Sequence, residues 1–295
     1  MYKMSLMNFL VHSSKYPSII LSGTALGRVI GAEPMITGLR ELIKYRELLY
    51  MITWRDIRVK YKQSVMGFMW AIFMPILIVA TGILVRFGMA QLSGTPLEMT
   101  QILTVSVKAI PWAFFISSMN FATNSLTGNS NLVTKIYFPK EIFPISAIMS
   151  QFFDLILATV PLIVLLAVVR IGISVQLLWV LPLLINLVVL TMAIGVFLSA
   201  ANLFFRDVKY LVNVITNFAI FFTPVYYDVK LAGKWSYLLL LNPISPILEG
   251  FNSCVVLHQA PESRWVFYSF AVSILGAVFA IRFFKKLEAK FAENI

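Results

Sequence analysis

The chain has 295 residues, 59% of them hydrophobic and only 13% charged, with a net charge of +11. A soluble domain carries about a quarter charged residues, so this composition excludes an ordinary globular protein and indicates several membrane spans with no room for a large second domain. A single cysteine, Cys254, excludes an intrachain disulfide, and two distant histidines, His12 and His258, argue against a histidine-based metal site.

Residues 1–40 are mixed in character and read as an N-terminal cytoplasmic extension before one domain, 41–295. His12, Ser13, Ser14 and Lys15 interrupt the apolar run that a signal peptide would need. "GTALGR" lacks the Gly-Lys-Ser/Thr ending of a phosphate loop, and no such loop occurs elsewhere. The chain is therefore not expected to hydrolyse ATP alone. In "LRELIKYRELLYMITWRDIRVKYKQS", Leu39, Ile43, Tyr50, Trp54, Ile57 and Tyr61 follow helical spacing, while Arg40, Lys44, Arg46, Arg55, Arg58, Lys60 and Lys62 supply positive charge. This pattern predicts an amphipathic helix at the cytoplasmic membrane surface. A basic anchor on anionic lipid is the plainer alternative.

A helix needs about 20 apolar residues to cross the hydrocarbon core. The first span is the uncharged stretch between Lys62 and Arg86, with a kink expected at Pro75. The second, Ala109 to Thr134, is uncharged but rich in Ser, Thr and Asn, so it should not face lipid on all sides. The third, Ile142 to Val169, contains Asp154, an intramembrane acid read as a buried hydrogen bond or ion pair that fixes helix packing. The fourth fills much of Ile171 to Phe205, the fifth runs from Tyr210 to Tyr227, and the last from Trp265 to Ile281.

Residues 228–264 include "WSYLLLLNPISPILEGFNSCVVL", which is long enough to span but has Asn242, Pro243, Pro246 and Glu249 in its middle. Two prolines there break a helix. A seventh span would also carry Arg282, Lys285, Lys286 and Lys290 outward, against the positive-inside rule. The stretch therefore reads as two short helices broken at "NPISP", forming a re-entrant hairpin in the outer leaflet. Six spans with both termini cytoplasmic place 18 of the 24 Lys and Arg residues inside. Arg86, Lys108, Arg170, Lys230, Lys234 and Arg264 remain outside or near the outer ends. The positive charge is thus explained by membrane orientation, and no nucleic-acid partner is expected.

"GNSNLVTKIYFPKEIFP", residues 128–144, packs Lys135, Lys140 and Glu141 between two apolar stretches. Each Lys at mid-bilayer would cost about 2.5–3.5 kcal/mol, so the segment is a cytoplasmic turn. On residues alone an ordinary hairpin loop is equally consistent.

Four stretches, "WRDIRVKYKQSVMGFMWAIFMPIL", "NLVTKIYFPKEIFPISAI", "NLFFRDVKYLV" and "LNPISPILEGF", occur in that order. Together they resemble the permease subunit of type-2 ABC exporters, in the branch that exports O-antigen, capsule or teichoic-acid polymers. The resemblance covers roughly residues 41 to 285. It implies an all-α polytopic fold of six transmembrane helices, an N-terminal interfacial helix and a re-entrant outer hairpin between helices five and six. It further implies a homodimer in the bacterial cytoplasmic membrane, working with two separate ATPase subunits that bind ATP and Mg, and no cofactor in this chain. The cargo implied is a lipid-linked glycan. A drug or small-lipid exporter of the same superfamily is the alternative.

By the same resemblance, Asn131 to Glu141 match a coupling helix that docks on the ATPase. Tyr137 and Phe138 would be its apolar anchors, and Lys135, Lys140 and Glu141 its charged rim. The family's channel is built mainly from spans one and five. Trp70, Phe73, Trp112, Phe115, Phe121, Phe222, Tyr226 and Tyr227 on spans one, two and five are candidates to line it, since sugar C–H faces stack on aromatic rings. Lipid-facing rings and an interfacial belt are the plainer explanation. Ser117, Ser118, Asn120, Thr123 and Asn124 can hydrogen-bond sugar hydroxyls or hold helices together. Asn242, Pro243, Pro246 and Glu249 are candidates for an outer gate. A membrane-embedded enzyme needs clustered acids or histidines, which the scattered Asp154, Asp207 and Glu249 do not supply. A secondary transporter would often show paired broken helices, and only one broken region is found.

Overall fold

The computed structural model describes residues 43–62, 67, 69–94, 98–135, 138–288 and 291. The 1–40 extension and Tyr137 lie outside the described residues, as does the side chain of Lys135. All regular structure among the described residues is helical. In chain order the α-helices are α1 (Arg46–Lys62), α2 (Met69–Ser93), α3 (Met99–Gly128), α4 (Ser130–Lys135), α5 (Ile142–Val168), α6 (Val180–Phe204), α7 (Val208–Ala219), α8 (Ser236–Leu241), α9 (Ile244–Val255) and α10 (Ser263–Glu288). Short 3-10 turns precede α6 at Val175–Trp179 and α8 at Val229–Trp235. Among the described residues, five stretches are long and apolar enough to cross a membrane: Ile72–Leu92, Met99–Gly128, Ile142–Val168, Val175–Phe204 and Ser263–Glu288.

α3 is the centre of the fold. It is buried along nearly its whole length and packs against α2, α5, α6, α7 and α9. That position explains the polarity noticed in the second span. Ser106, Thr123 and Ser125 are buried and return their hydroxyls to carbonyls one turn back on the same helix. Asn202 of α6 donates to the Thr123 carbonyl at 3.0 Å. The main core gathers α3, α5, α6 and α9 around Trp112, Phe114, Leu187 and Phe251. α6 and α10 pack along each other, joined by a closed polar chain. Asn186 donates to Ser269 Oγ, and Ser273 Oγ donates to Asn186 Oδ1.

Three boundaries differ from the sequence expectation. α2 continues past Val85 and takes in Arg86. α3 starts ten residues before Ala109 and takes in Lys108. Both cations were expected near the outer ends. They lie inside helices because each is neutralised by an acid from a distant segment, so neither forces the helix to stop. α3 also ends earlier than expected, at Gly128, and Thr134 belongs to the separate α4.

The expected fifth span, Tyr210 to Tyr227, is helical only through α7. Pro224 supplies the reason. Its ring would clash with the carbonyl of residue 220 in a continuing helix, and it disfavours the helical conformation for Thr223. The chain proceeds through turns instead. It still covers the distance. Lys209 N–H donates to Asn202 Oδ1 beside Thr127, while Asp228 reaches Lys108. Residues 127 and 108 of α3 are about 28 Å apart along a helix axis.

The break in 228–264 is present. Gly233–Leu241 and Ile244–Val255 are bent by 111° across Asn242 and Pro243. Pro246 is not the breaker. It lies in the first turn of α9, where a backbone N–H has no intrahelical partner to lose.

α1 is packed against the bundle. Ile52 joins the cluster containing Ile142 and Phe143, whereas Ile57 and Tyr61 pack with Phe153 and Leu157. Its apolar side therefore runs beside the first half of α5.

Close approach of α2 and α3 depends on Gly82. A Cβ there would meet Val105 Cγ1 and lie 2.7 Å from Tyr226 Cδ1. Gly82→Ala is expected to lower stability by about 1–3 kcal/mol through overpacking. Thermal unfolding in detergent checks this, and an unchanged midpoint would show that Tyr226 moves aside freely.

Candidate substrate path and coupling segment

The aromatic candidates separate into two groups. Trp70 and Phe73 sit one turn apart on α2, exposed, with ring centroids 5.8 Å apart. Phe121 on α3 and Phe222 after α7 are also exposed. Tyr226 is partly buried against Gly82, and the Tyr227 hydroxyl donates to the Phe221 carbonyl at 3.0 Å. Trp112 differs: it is buried in the main core and stacks on the partly buried Phe115 at 5.9 Å. The Trp112 ring packs the centre of the fold and does not face an open surface of the chain.

α7 turns its apolar side outward. Val212 and Thr216 are buried, while Tyr210, Leu211, Val214, Ile215 and Phe218 are exposed. In water such a face would be unfavourable; in a bilayer it meets lipid or another protein.

Of the polar residues on the second span, Ser118 and Thr123 are buried among helices. Asn120 and Asn124 donate to carbonyls one turn back, and Asn124 is exposed. Ser117 and Phe121 line a cleft shared with α2 and α5.

Asp154 is held as its position suggested. Lys60 and Tyr61 of α1 both donate to its carboxylate, and Lys60 also reaches Gln151 Oε1 at 3.0 Å. Burial, then the Asp154 hydrogen bond and charge, keep the Tyr61 phenol protonated well above its ordinary range.

Three of the four outer-gate candidates, Asn242, Pro243 and Glu249, are engaged. Asn242 Nδ2 donates to Thr223 Oγ1 at 3.0 Å. The Pro243 carbonyl accepts from Ser269 Oγ at 2.7 Å. Glu249, 23% exposed, accepts from Lys108 Nζ at 2.6 Å. Lys108 is fully buried, and Asp228 Oδ1 lies 3.9 Å from it. Asp228 Oδ2 in turn accepts from Arg86 Nη2 at 3.0 Å. Four charges from four separate segments thus form one neutral network. The partners of Lys108 and Arg86 lie 141 and 142 residues away along the chain, too far for any local pattern to reveal them.

The 128–144 segment is a folded corner. Arg55 of α1 donates to Asn129 Oδ1 at 2.9 Å, and Asn129 Nδ2 donates to the Ser125 carbonyl at 2.8 Å. Phe138 is 8% exposed and packs on Phe143 at 5.4 Å, in a cluster with Ile52, Val133, Phe284 and Phe291. Glu141 is buried, with Lys285 Nζ 3.8 Å away. Lys140 N–H donates to Glu288 at 3.4 Å. Among the described side chains of α4, Asn131 and Thr134 are exposed. Among the described residues, no group of three or more His, Cys, Asp or Glu is placed to hold a metal ion.

Apolar spanning helices around a buried polar one, with charge at the corners, define a multi-pass membrane protein. Residues 47–256 match the family described as ABC-2 type transporter, and the chain belongs to that family. An O-antigen export system permease protein RfbA of Klebsiella pneumoniae is 28% identical over 256 residues, covering 84% of this chain and 94% of that protein. The protein of the same name from Myxococcus xanthus is 25% identical over 265 residues, covering 88% of this chain and 100% of that protein.

Proposed function

We propose that the chain is the transmembrane subunit of an ATP-driven exporter moving a lipid-linked polysaccharide across the bacterial cytoplasmic membrane. The observation that carries this reading is the near end-to-end match to O-antigen export permeases. Family membership implies cytoplasmic ABC ATPase subunits as partners, and ATP and Mg belong to them. The exposed Trp70, Phe73, Phe121 and Phe222 offer a sliding glycan many weak stacking contacts in place of one tight pocket. The outward apolar faces of α2 and α7 suit a second copy of this chain across a shared path. The α7 stretch and its following turns act as the fifth crossing, which gives six crossings with both termini cytoplasmic. α8 and α9 then form the re-entrant hairpin on the outer side, with irregular backbone at Asn242 covered by protein as a bilayer requires.

The test is complementation. Cells lacking their own O-antigen permease should regain surface polymer when given this chain with its ATPase, which should co-purify with it. Assembly with the ATPase but export of small amphiphiles only would favour the drug or small-lipid reading. Orientation is checked separately by cysteine labelling from outside, in a variant lacking Cys254. Positions beside Lys234 should label and position 286 should not. Labelling at 286 in intact cells would remove the six-crossing layout.

A further inference from the structure

A cleft of about 290 Å³ opens between α2, α3 and α5, close to the C-terminal end of α1. We infer that it is a binding subsite for a single neutral sugar unit of the exported glycan, with Lys60, Gln151, Asp154 and Ser117 as the polar contacts and Trp70 and Phe121 as the ring walls. The inference rests on the polysaccharide-export reading and adds to it a place and a ligand charge.

The two rings keep free surface: Trp70 is 38% and Phe121 48% exposed. They stand at a cleft whose other walls include Pro75, Ile78 and Leu155. An apolar ligand face is therefore accommodated. The polar groups decide what kind of ligand carries that face. A lysine ammonium has three donors and no acceptor. Here two of them go to Asp154 and Gln151 Oε1, and the ammonium lies 5.0 Å from the Phe121 ring centre and 5.7 Å from that of Tyr61. Its charge is cancelled by Asp154. A phosphate or pyrophosphate would meet a cation already neutralised by Asp154, with one donor left and a carboxylate beside it. The cleft is thus poorly suited to an anion.

Hydroxyl groups fit what is left. A carboxylate has about four acceptor positions, and Asp154 uses one on each oxygen toward Lys60 and Tyr61. Gln151 Nε2 has one partner, Ser150 Oγ at 3.3 Å, and can donate once more. Ser117 carries a hydroxyl with no partner among the described residues. Adjacent acceptors and donors between two ring faces match the adjacent hydroxyls and C–H face of a pyranose. An acyl chain would leave the Ser117 hydroxyl and the remaining Gln151 donor unsatisfied, which is costly away from water. The volume sits at the lower end of the range for ligand pockets, roughly 300–1,000 Å³, so one ring is held at a time. That suits a polymer that must move on.

The test uses the full chain in lipid nanodiscs, with Cys254→Ser and a reporter cysteine at Ala113, which lines the cleft. Maleimide labelling is timed with short neutral mannose, galactose or glucose oligomers, with sodium pyrophosphate, and with a short-chain phosphatidylcholine. At least one neutral oligomer should slow labelling several-fold while pyrophosphate and the lipid do not. Gln151→Ala and Trp70→Ala should each remove the protection; neither disrupts the Lys60–Asp154 pair. Protection by pyrophosphate or lipid alone, or by no probe, overturns the subsite. Saturation-transfer NMR on the same samples separates the two readings. Sugar signal without protection at position 113 leaves glycan export standing and places the sugar elsewhere. Absence of both counts against the glycan reading as well. In cells, Ala113→Phe should fill the cleft and reduce surface polymer while ATPase co-purification is retained; normal export would show the cleft is not on the path.

Discussion

Lys108→Met is expected to destabilise the folded chain by about 3–5 kcal/mol, because it leaves the Glu249 carboxylate without its buried cation. Lys108 is fully buried and Glu249 holds it at 2.6 Å. Glu249→Leu leaves the cation only the more distant Asp228 carboxylate at 3.9 Å and the Tyr227 carbonyl at 3.5 Å, and should also destabilise, by less. The double change Lys108→Met with Glu249→Leu removes both charges together. Desolvating an ion pair offsets most of its attraction, so the double variant should recover most of the lost stability. Asp228 retains Arg86 at 3.0 Å in every case, which keeps the second half of the network satisfied. Thermal unfolding of the four proteins in one detergent gives the coupling between the two positions. Additive losses would mean that the two charges act independently and that α9 is held to α3 by packing alone.

This network also shows which parts of the molecule can be read from sequence. The third span was legible at both ends because Glu141 and Arg170 bracket a long apolar run. The break at Asn242-Pro243 was legible because proline chemistry is local. The helix boundaries at Arg86 and Lys108 differ from expectation for the opposite reason. A lone cation in an apolar stretch marks a helix end unless an acid neutralises it, and here the acid comes from a different part of the chain. The fifth span reads longer than α7 because its apolar run continues on both sides of Pro224, and hydropathy does not register the break. Asp154 was identified as a pairing group, yet Lys60 was counted only as surface charge on an interfacial helix. No periodicity in α1 indicates that it runs beside α5. Trp112 and Phe121 carry the same type of ring on one helix. What separates them is which neighbours surround α3, and that is a property of the assembled fold.

Phe138→Ala is expected to lower stability by about 3–5 kcal/mol, the usual range for removing a buried phenyl ring. The sequence reading made this ring an anchor for the ATPase. In the fold it packs on Phe143 and joins Ile52, Val133, Phe284 and Phe291, so it fixes the corner from within. Among the described side chains of α4, Asn131 and Thr134 are the exposed ones. Three results should follow. Phe138→Ala should lower the unfolding midpoint and weaken ATPase co-purification together, and Phe138→Leu should restore much of both. Lys140→Ala should leave the midpoint nearly unchanged, since the contact to Glu288 is made by the backbone N–H. Paired changes of Asn131 and Thr134 to larger residues should weaken co-purification without lowering the midpoint. If Phe138→Ala keeps its midpoint yet loses the ATPase, the ring docks on the partner directly, and the packing in the isolated chain is rearranged on assembly. If it keeps both, the corner draws its rigidity from the Arg55–Asn129 bond and the Glu141–Lys285 pair, and the ring only fills space.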